Sequence, residues 1–228
     1  MTDRLVGSAW MMQNVNWENM WEATLETLYM SVIALTFTFL FGILLGLLLF
    51  LSDRGQLWEN KTVNAITAAY VNIFRSIPFI ILIVLLIPFT RTIMGTMLGP
   101  SAALPALIIG AAPFYARLVE IALREIDKGV IEAAKSMGAN NRQIITKVLL
   151  PESMPALISG ITVTSIALIS YTAMAGVIGA GGLGDLAYRD GFQRSNTDIT
   201  LVATFIVLII VFIFQYIGDF LTRKIDKR

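Results

Sequence analysis

The chain has 228 residues, of which 56% are hydrophobic and only 14% charged, and its formal net charge is +1. A soluble domain is roughly 25% charged, so an ordinary water-facing surface is excluded; the near-neutral balance singles out no polyanionic partner, and no nucleic acid is expected. Cysteine and histidine are absent, which removes disulfides, thiolate nucleophiles, zinc–thiolate sites and the commonest general base; no catalytic or metal-ligating residues are expected.

Residues 1–23 lack the short apolar core and small-residue cleavage site of a signal peptide. Their Trp10, Trp17 and Trp21 suit an interfacial segment, because amphipathic rings favour the membrane–water boundary. Leu28–Leu51 then runs without a charge and exceeds the ~20 residues that cross a bilayer core. The first of five predicted spans is placed at about Thr24–Leu51. The second is placed at Ile73–Phe89, after a helical approach along the surface. Arginine in mid-bilayer costs at least ~2.5–3.5 kcal/mol, so Arg75 belongs near an interface, where with Pro78 it is expected to hold the second helix against the loop. The third span covers about Leu98–Ala116, with kinks expected at Pro105 and Pro113. The fourth covers about Pro155–Ala180 and the fifth about Leu201–Leu221, followed by a basic tail at 222–228.

Five spans put thirteen of the seventeen lysines and arginines on one side, against Arg4, Arg91, Arg189 and Arg194 on the other. The positive-inside rule then places the N-terminus outside and the C-terminus in the cytosol. The fold class is an all-α polytopic membrane protein with residues 24–221 as its membrane domain. Five spans enclose too little space for a solute path, so a homodimer around a central path is expected.

The longest polar island lies on the cytosolic side, at about 120–154. "VIEAAKSM" (130–137) contains strong helix formers, and Gly138 is positioned as a left-handed C-terminal cap. Asn140 and Asn141 are N-cap candidates for a second helix whose Ile144, Ile145, Val148 and Leu149 share one face. Pro151 is expected to force a change of direction. The small Ala133 and Ala134 would let the first helix sit deep in a groove of another protein. Earlier, Arg117, Glu120 and Arg124 stand at i, i+3 and i+4-type spacing, read as a salt-bridged anchor.

The array Glu132-Ala133-Ala134, Gly138, Val148-x-Leu150-Pro151 resembles the EAA loop of bacterial ABC-importer permeases: EAA, three residues, Gly, nine residues, Ile-x-Leu-Pro, with Val148 for isoleucine. "VNIFRSIPFIIL" (Val71–Leu82), "IPFTR" (Ile87–Arg91), "GAAPFYARLVE" (Gly110–Glu120), "KVLLPE" (Lys147–Glu152) and "GAGGLG" (Gly179–Gly184) further resemble the methionine-importer permeases. The resemblance implies a type I permease fold in the bacterial cytoplasmic membrane. It also implies a homodimeric pore, cytosolic ABC ATPase subunits seated on the EAA loop, and an extracytoplasmic binding protein or lipoprotein that delivers substrate. No cofactor is then expected in this chain, since ATP and Mg would be held by the ATPase. The fourth helix lines the path in that family, which makes Tyr171, Met174 and Gly176 candidate path residues beside ordinary helix packing.

"GAGGLG" lacks the lysine and context of a phosphate loop and reads as a flexible or closely packed outer end of the fourth span. An ion-coupled carrier or channel is the alternative function. It should carry ionisable groups in the span cores, and none are found there. An intramembrane enzyme would need a nucleophile–base pair or metal ligands.

Overall fold

In the computed structural model, described here for residues 15–226, Asn16 starts the first helix. Its side-chain oxygen accepts hydrogen bonds from the backbone N–H of Glu18 (3.0 Å) and Asn19 (3.3 Å), satisfying two donors that no preceding turn can reach. Helix α1 therefore spans Trp17–Leu51, starting two turns before the expected span at Thr24, with Trp17 and Trp21 exposed on one face. Trp10, the rest of the segment before residue 15, and Lys227 and Arg228 of the basic tail lie outside the described residues.

After a polar turn Asn60 caps α2 (Lys61–Ser76), accepting from the N–H of Thr62 and Val63. The span expected at Ile73–Phe89 is not one helix. Ile77 is extended (φ −84°, ψ 122°), because the ring of Pro78 disfavours helical geometry in the residue before it. The chain restarts as α3 (Phe79–Leu85) and α4 (Ile87–Met94), the latter closed by left-handed Gly95. Helix α5 (Pro100–Arg124) carries both Pro105 and Pro113 and continues two turns past the expected end.

The polar island follows as α6 (Lys128–Ser136) and α7 (Asn141–Ile144). A π-helical turn at Ile145–Leu149 leads directly into α8 (Leu150–Ala175). Pro151 thus does not turn the chain as expected. The N–H of Leu150 bonds the carbonyl of Ile145, an i→i−5 bond whose wider turn makes room for a ring that would crowd an α-helical one. A second π segment, Gly176–Ala180, breaks at Ile178 and Gly179. Helix α9 (Gly182–Asp185), a π segment at Leu186–Gln193 and α10 (Thr197–Ile225) complete the chain. No strand occurs among the described residues. Among the described residues four helical stretches are long and apolar enough to cross a membrane, or five if α2 and α3 count as one broken span.

The chain divides into two compact units, and α1, α5, α8 and α10 contribute residues to both. In one unit (Met1–Ala34, Phe79–Leu107, Leu168–Ile213) the glycine-rich segment is clamped by α1. The carboxylate of Glu26 accepts from the N–H of Gly182 (2.6 Å), and the hydroxyl of Thr27 accepts from that of Leu183 (2.9 Å). The Gly99 N–H donates to the Gly179 carbonyl at 2.9 Å. In the other unit (Leu35–Pro78, Ile108–Ala167, Phe214–Arg228) the core gathers Tyr115, Val119 and Leu123 of α5 with Ile144, Leu149 and Leu157. The Tyr115 hydroxyl donates to the Leu157 carbonyl at 3.1 Å, which satisfies a polar group buried among apolar side chains. Here α1 and α5 meet through Gly42 and Gly46. A Cβ at Gly42 would stand 2.6 Å from Cδ1 of Tyr115, and one at Gly46 2.5 Å from Cβ of Val119. This four-residue spacing of glycines is the small-residue packing that lets membrane helices approach closely.

Candidate functional site

Between α5 and α8 the chain builds a helix, an elbow and a second helix. Asp127 opens α6 by accepting from the N–H of Gly129 at 2.6 Å. At its end Gly138 adopts φ +81° and donates to the Lys135 carbonyl at 2.9 Å, while Ala139 donates to that of Ala134. A side chain at this φ would meet its own backbone, so the elbow requires glycine. Asn140 then forms a full capping box with Gln143: each side chain accepts from the other's backbone N–H at 2.9 Å. Of the two cap candidates Asn140 is the one used.

The faces of this element are distinct. Ile144, Ile145 and Leu149 are buried, with Val148 and Leu150 partly so, as their spacing required. Gln143, Thr146 and Lys147 are exposed, as is Pro151. On α6, Ala134 packs into the chain's own core; of the alanine pair, only Ala133 faces outward, beside exposed Glu132. Periodicity did not single out Met137, yet its side chain is 82% exposed at the elbow. An apolar side chain held out at a rigid, glycine-capped corner is a ready knob for a pocket on another protein.

The anchor beneath this element is an ion-pair network. Glu120 is 3% exposed; one carboxylate oxygen accepts from Arg117 Nη1 at 2.6 Å and the other from Arg124 Nε (3.0 Å) and Nη2 (2.8 Å). Arg124 also reaches Asp53 of the α1–α2 turn at 2.7 Å, a partner 71 residues away that local spacing cannot reveal. The backbone N–H of Arg54 first, then the Arg124 guanidinium, hold the Asp53 carboxyl below the usual carboxylate range.

The candidate path residues divide. Tyr171 stacks flat on Phe79, with ring centroids 4.3 Å apart and planes 6° apart. Met174 is exposed. Gly176 is buried, and a Cβ there would meet the backbone of Asp185, Gly184 and Gly181, so this position requires close packing. The whole glycine segment is likewise packed closely, with Gly182 and Gly181 both at φ +78°. Arg75 is exposed in the last turn of α2 and Pro78 follows the break. Among the described residues Arg75 forms no ion pair, and the turn in the chain follows from the restriction that Pro78 places on Ile77.

Residues 39–228 match the family model of the binding-protein-dependent transport system inner membrane component. The chain belongs to that family. As an inner membrane component it is 68% identical, over 94% of its length and 97% of the relative's, to the methionine import system permease protein MetP of Bacillus subtilis. It is 50% identical to the probable D-methionine transport system permease protein MetI of Pasteurella multocida, over 93% of this chain and 98% of that one. Among solved structures, a chain of the MetNI methionine ABC transporter in inward-facing conformations superposes with a TM-score of 0.90 at 44% identity, covering 93% of this chain and 100% of that chain.

Proposed function

We propose that this protein is the permease subunit of a methionine ABC importer in the bacterial cytoplasmic membrane. It acts as a homodimer, paired with cytosolic ATPase subunits and served by an extracytoplasmic binding protein. The single observation that carries the coupling mechanism is the α6–Gly138–α7 element: a rigid corner with Glu132, Ala133 and Met137 facing outward and its buried face continuous with the core around α5. The named methionine permeases that cover nearly the whole chain support methionine as the cargo.

The N-terminus lies outside and the polar island in the cytosol, as the distribution of lysine and arginine requires. ATP and Mg are held by the partner, and this chain catalyses no reaction. When the ATPases close, the elbow is displaced as a unit. The capping box and the Gly138 turn keep α6 and α7 from shifting separately, so the displacement passes through the buried Ile144–Leu149 face into α8. Tyr171, stacked on Phe79, and Met174, one turn further along α8, supply apolar groups suited to a thioether side chain.

Gly138→Val tests this. Forcing a β-branched residue to φ +81° costs on the order of 1–3 kcal/mol, which the elbow can relieve only by opening. In vesicles holding permease and ATPase, ATP-driven methionine uptake should fall at least about tenfold while membrane insertion and dimer formation persist. Wild-type uptake by the variant would remove the coupling role from this element.

A further inference from the structure

A groove of about 410 Å³ opens where two spans end, between the α1–α2 turn, the last turn of α5 and one side of α6. Its floor is apolar: Leu57 and Ile131 are partly exposed there, over the buried Phe50, Leu123 and Ile126. Four cations line it: Arg54, Arg124, Lys128 and Lys135. Two acids accompany them, Asp53 and Glu132, and Asp53 is already engaged by Arg124. Arg54, Lys128 and Lys135 form no ion pair among the described residues. Trp58, half exposed in the same turn, is the residue type that settles at headgroup level.

The geometry points to a binding site for the phosphate headgroup of an anionic membrane phospholipid, with its glyceride body against Leu57 and Ile131. Three cations without an ion pair, against Glu132 as the one acid not already engaged, stand over an apolar floor at the ends of α1 and α5, which matches a ligand charged at one end and hydrocarbon at the other. Free phosphate would use the cations and leave the floor bare. An acidic side chain of another protein would do the same. Lys128, Glu132 and Lys135 stand on the side of α6 that lines the groove, whereas Met137 does not line it. A lipid seated there would steady the root of α6 and leave the elbow free.

This inference rests on the chain being embedded in membrane and not on its cargo or its coupling. Its test therefore needs no ATP turnover. The intact permease–ATPase complex is extracted in detergent, and bound phosphatidylglycerol and phosphatidylcholine are counted by native mass spectrometry. Removing one such cation weakens anionic lipid binding about fivefold. The triple variant Arg54→Gln, Lys128→Gln, Lys135→Gln should lose phosphatidylglycerol affinity by tenfold or more, with phosphatidylcholine unchanged. Lys128→Gln alone gives the reading, at about fivefold, if the triple variant fails to assemble. A control carrying Arg223→Gln and Lys224→Gln on α10 should keep its phosphatidylglycerol. The proposal is overturned by equal binding of the two lipids, by unchanged binding in the variants, by an equal loss in the control, or by displacement with inorganic phosphate.

Discussion

Gly46→Leu is expected to prevent assembly of a stable permease. A Cβ at position 46 would stand 2.5 Å from Cβ of Val119, 2.6 Å from its Cγ1 and 2.7 Å from the backbone carbonyl of Ala116. A valine at full burial cannot swing aside, and a carbonyl moves only if α5 moves with it. Overpacking a well-filled interior costs typically 1–3 kcal/mol; with backbone on one side, the change should lie at or above the ~3 kcal/mol end. Gly46→Ala already places the offending Cβ and should show a smaller loss. Thermal unfolding of the detergent-solubilised complex, followed by the fraction that elutes as a single species, reads both. Wild-type stability in Gly46→Leu would mean that α1 and α5 do not meet through these glycines.

Glu120→Ala should be the most damaging change of charge, lowering stability by about 3 kcal/mol. It strips a buried carboxylate from two arginines, removing the ion-pair partner of Arg117 and leaving Arg124 with only the solvent-facing Asp53. Both arginines are nearly half exposed, so water recovers part of the loss and the figure sits at the low end of the range for broken buried pairs. Asp53→Asn should cost far less, because that pair is open to solvent and exposed pairs contribute ~0–1 kcal/mol. The pH dependence follows from the lowered Asp53 carboxyl. Its contribution is complete above the unfolded value of 3.8 and is lost as pH falls through the lower folded value. Unfolding midpoints measured from pH 7 down to pH 3 should therefore show Asp53→Asn and wild type converging at the acid end.

Local chemistry was readable wherever one turn decides the outcome. Gly138 had to be left-handed and Asn140 had to cap, because both answer to neighbours within four residues. Ile144, Ile145 and Leu149 declared their face by spacing alone, and the Arg117–Glu120–Arg124 ladder did the same. What stayed hidden depends on distant partners or on compensating geometry. Nothing near Gly42 and Gly46 announces that Tyr115 and Val119 will press on them. Asp53 gives no sign of Arg124. Pro151 looked like a helix stop, but a single widened turn at Ile145–Leu149 absorbs its ring, and hydropathy cannot distinguish a π turn from an α turn. Conversely, the apolar run from Ile73 to Phe89 looked continuous, because hydropathy is blind to the backbone restriction that Pro78 places on Ile77. The helix that holds Gly176 was legible, but the backbone folding back against it at Asp185 was not.

The central step proposed for this permease is the entry of energy from an ATPase through the α6–α7 elbow. The direct measurement is uptake of labelled methionine into vesicles containing the permease, its ATPase and the binding protein. Uptake should require ATP inside reach of the ATPase, stop when that subunit is omitted, and persist after ion gradients are collapsed. Uptake that continues without the ATPase, or that follows an ion gradient, would contradict it.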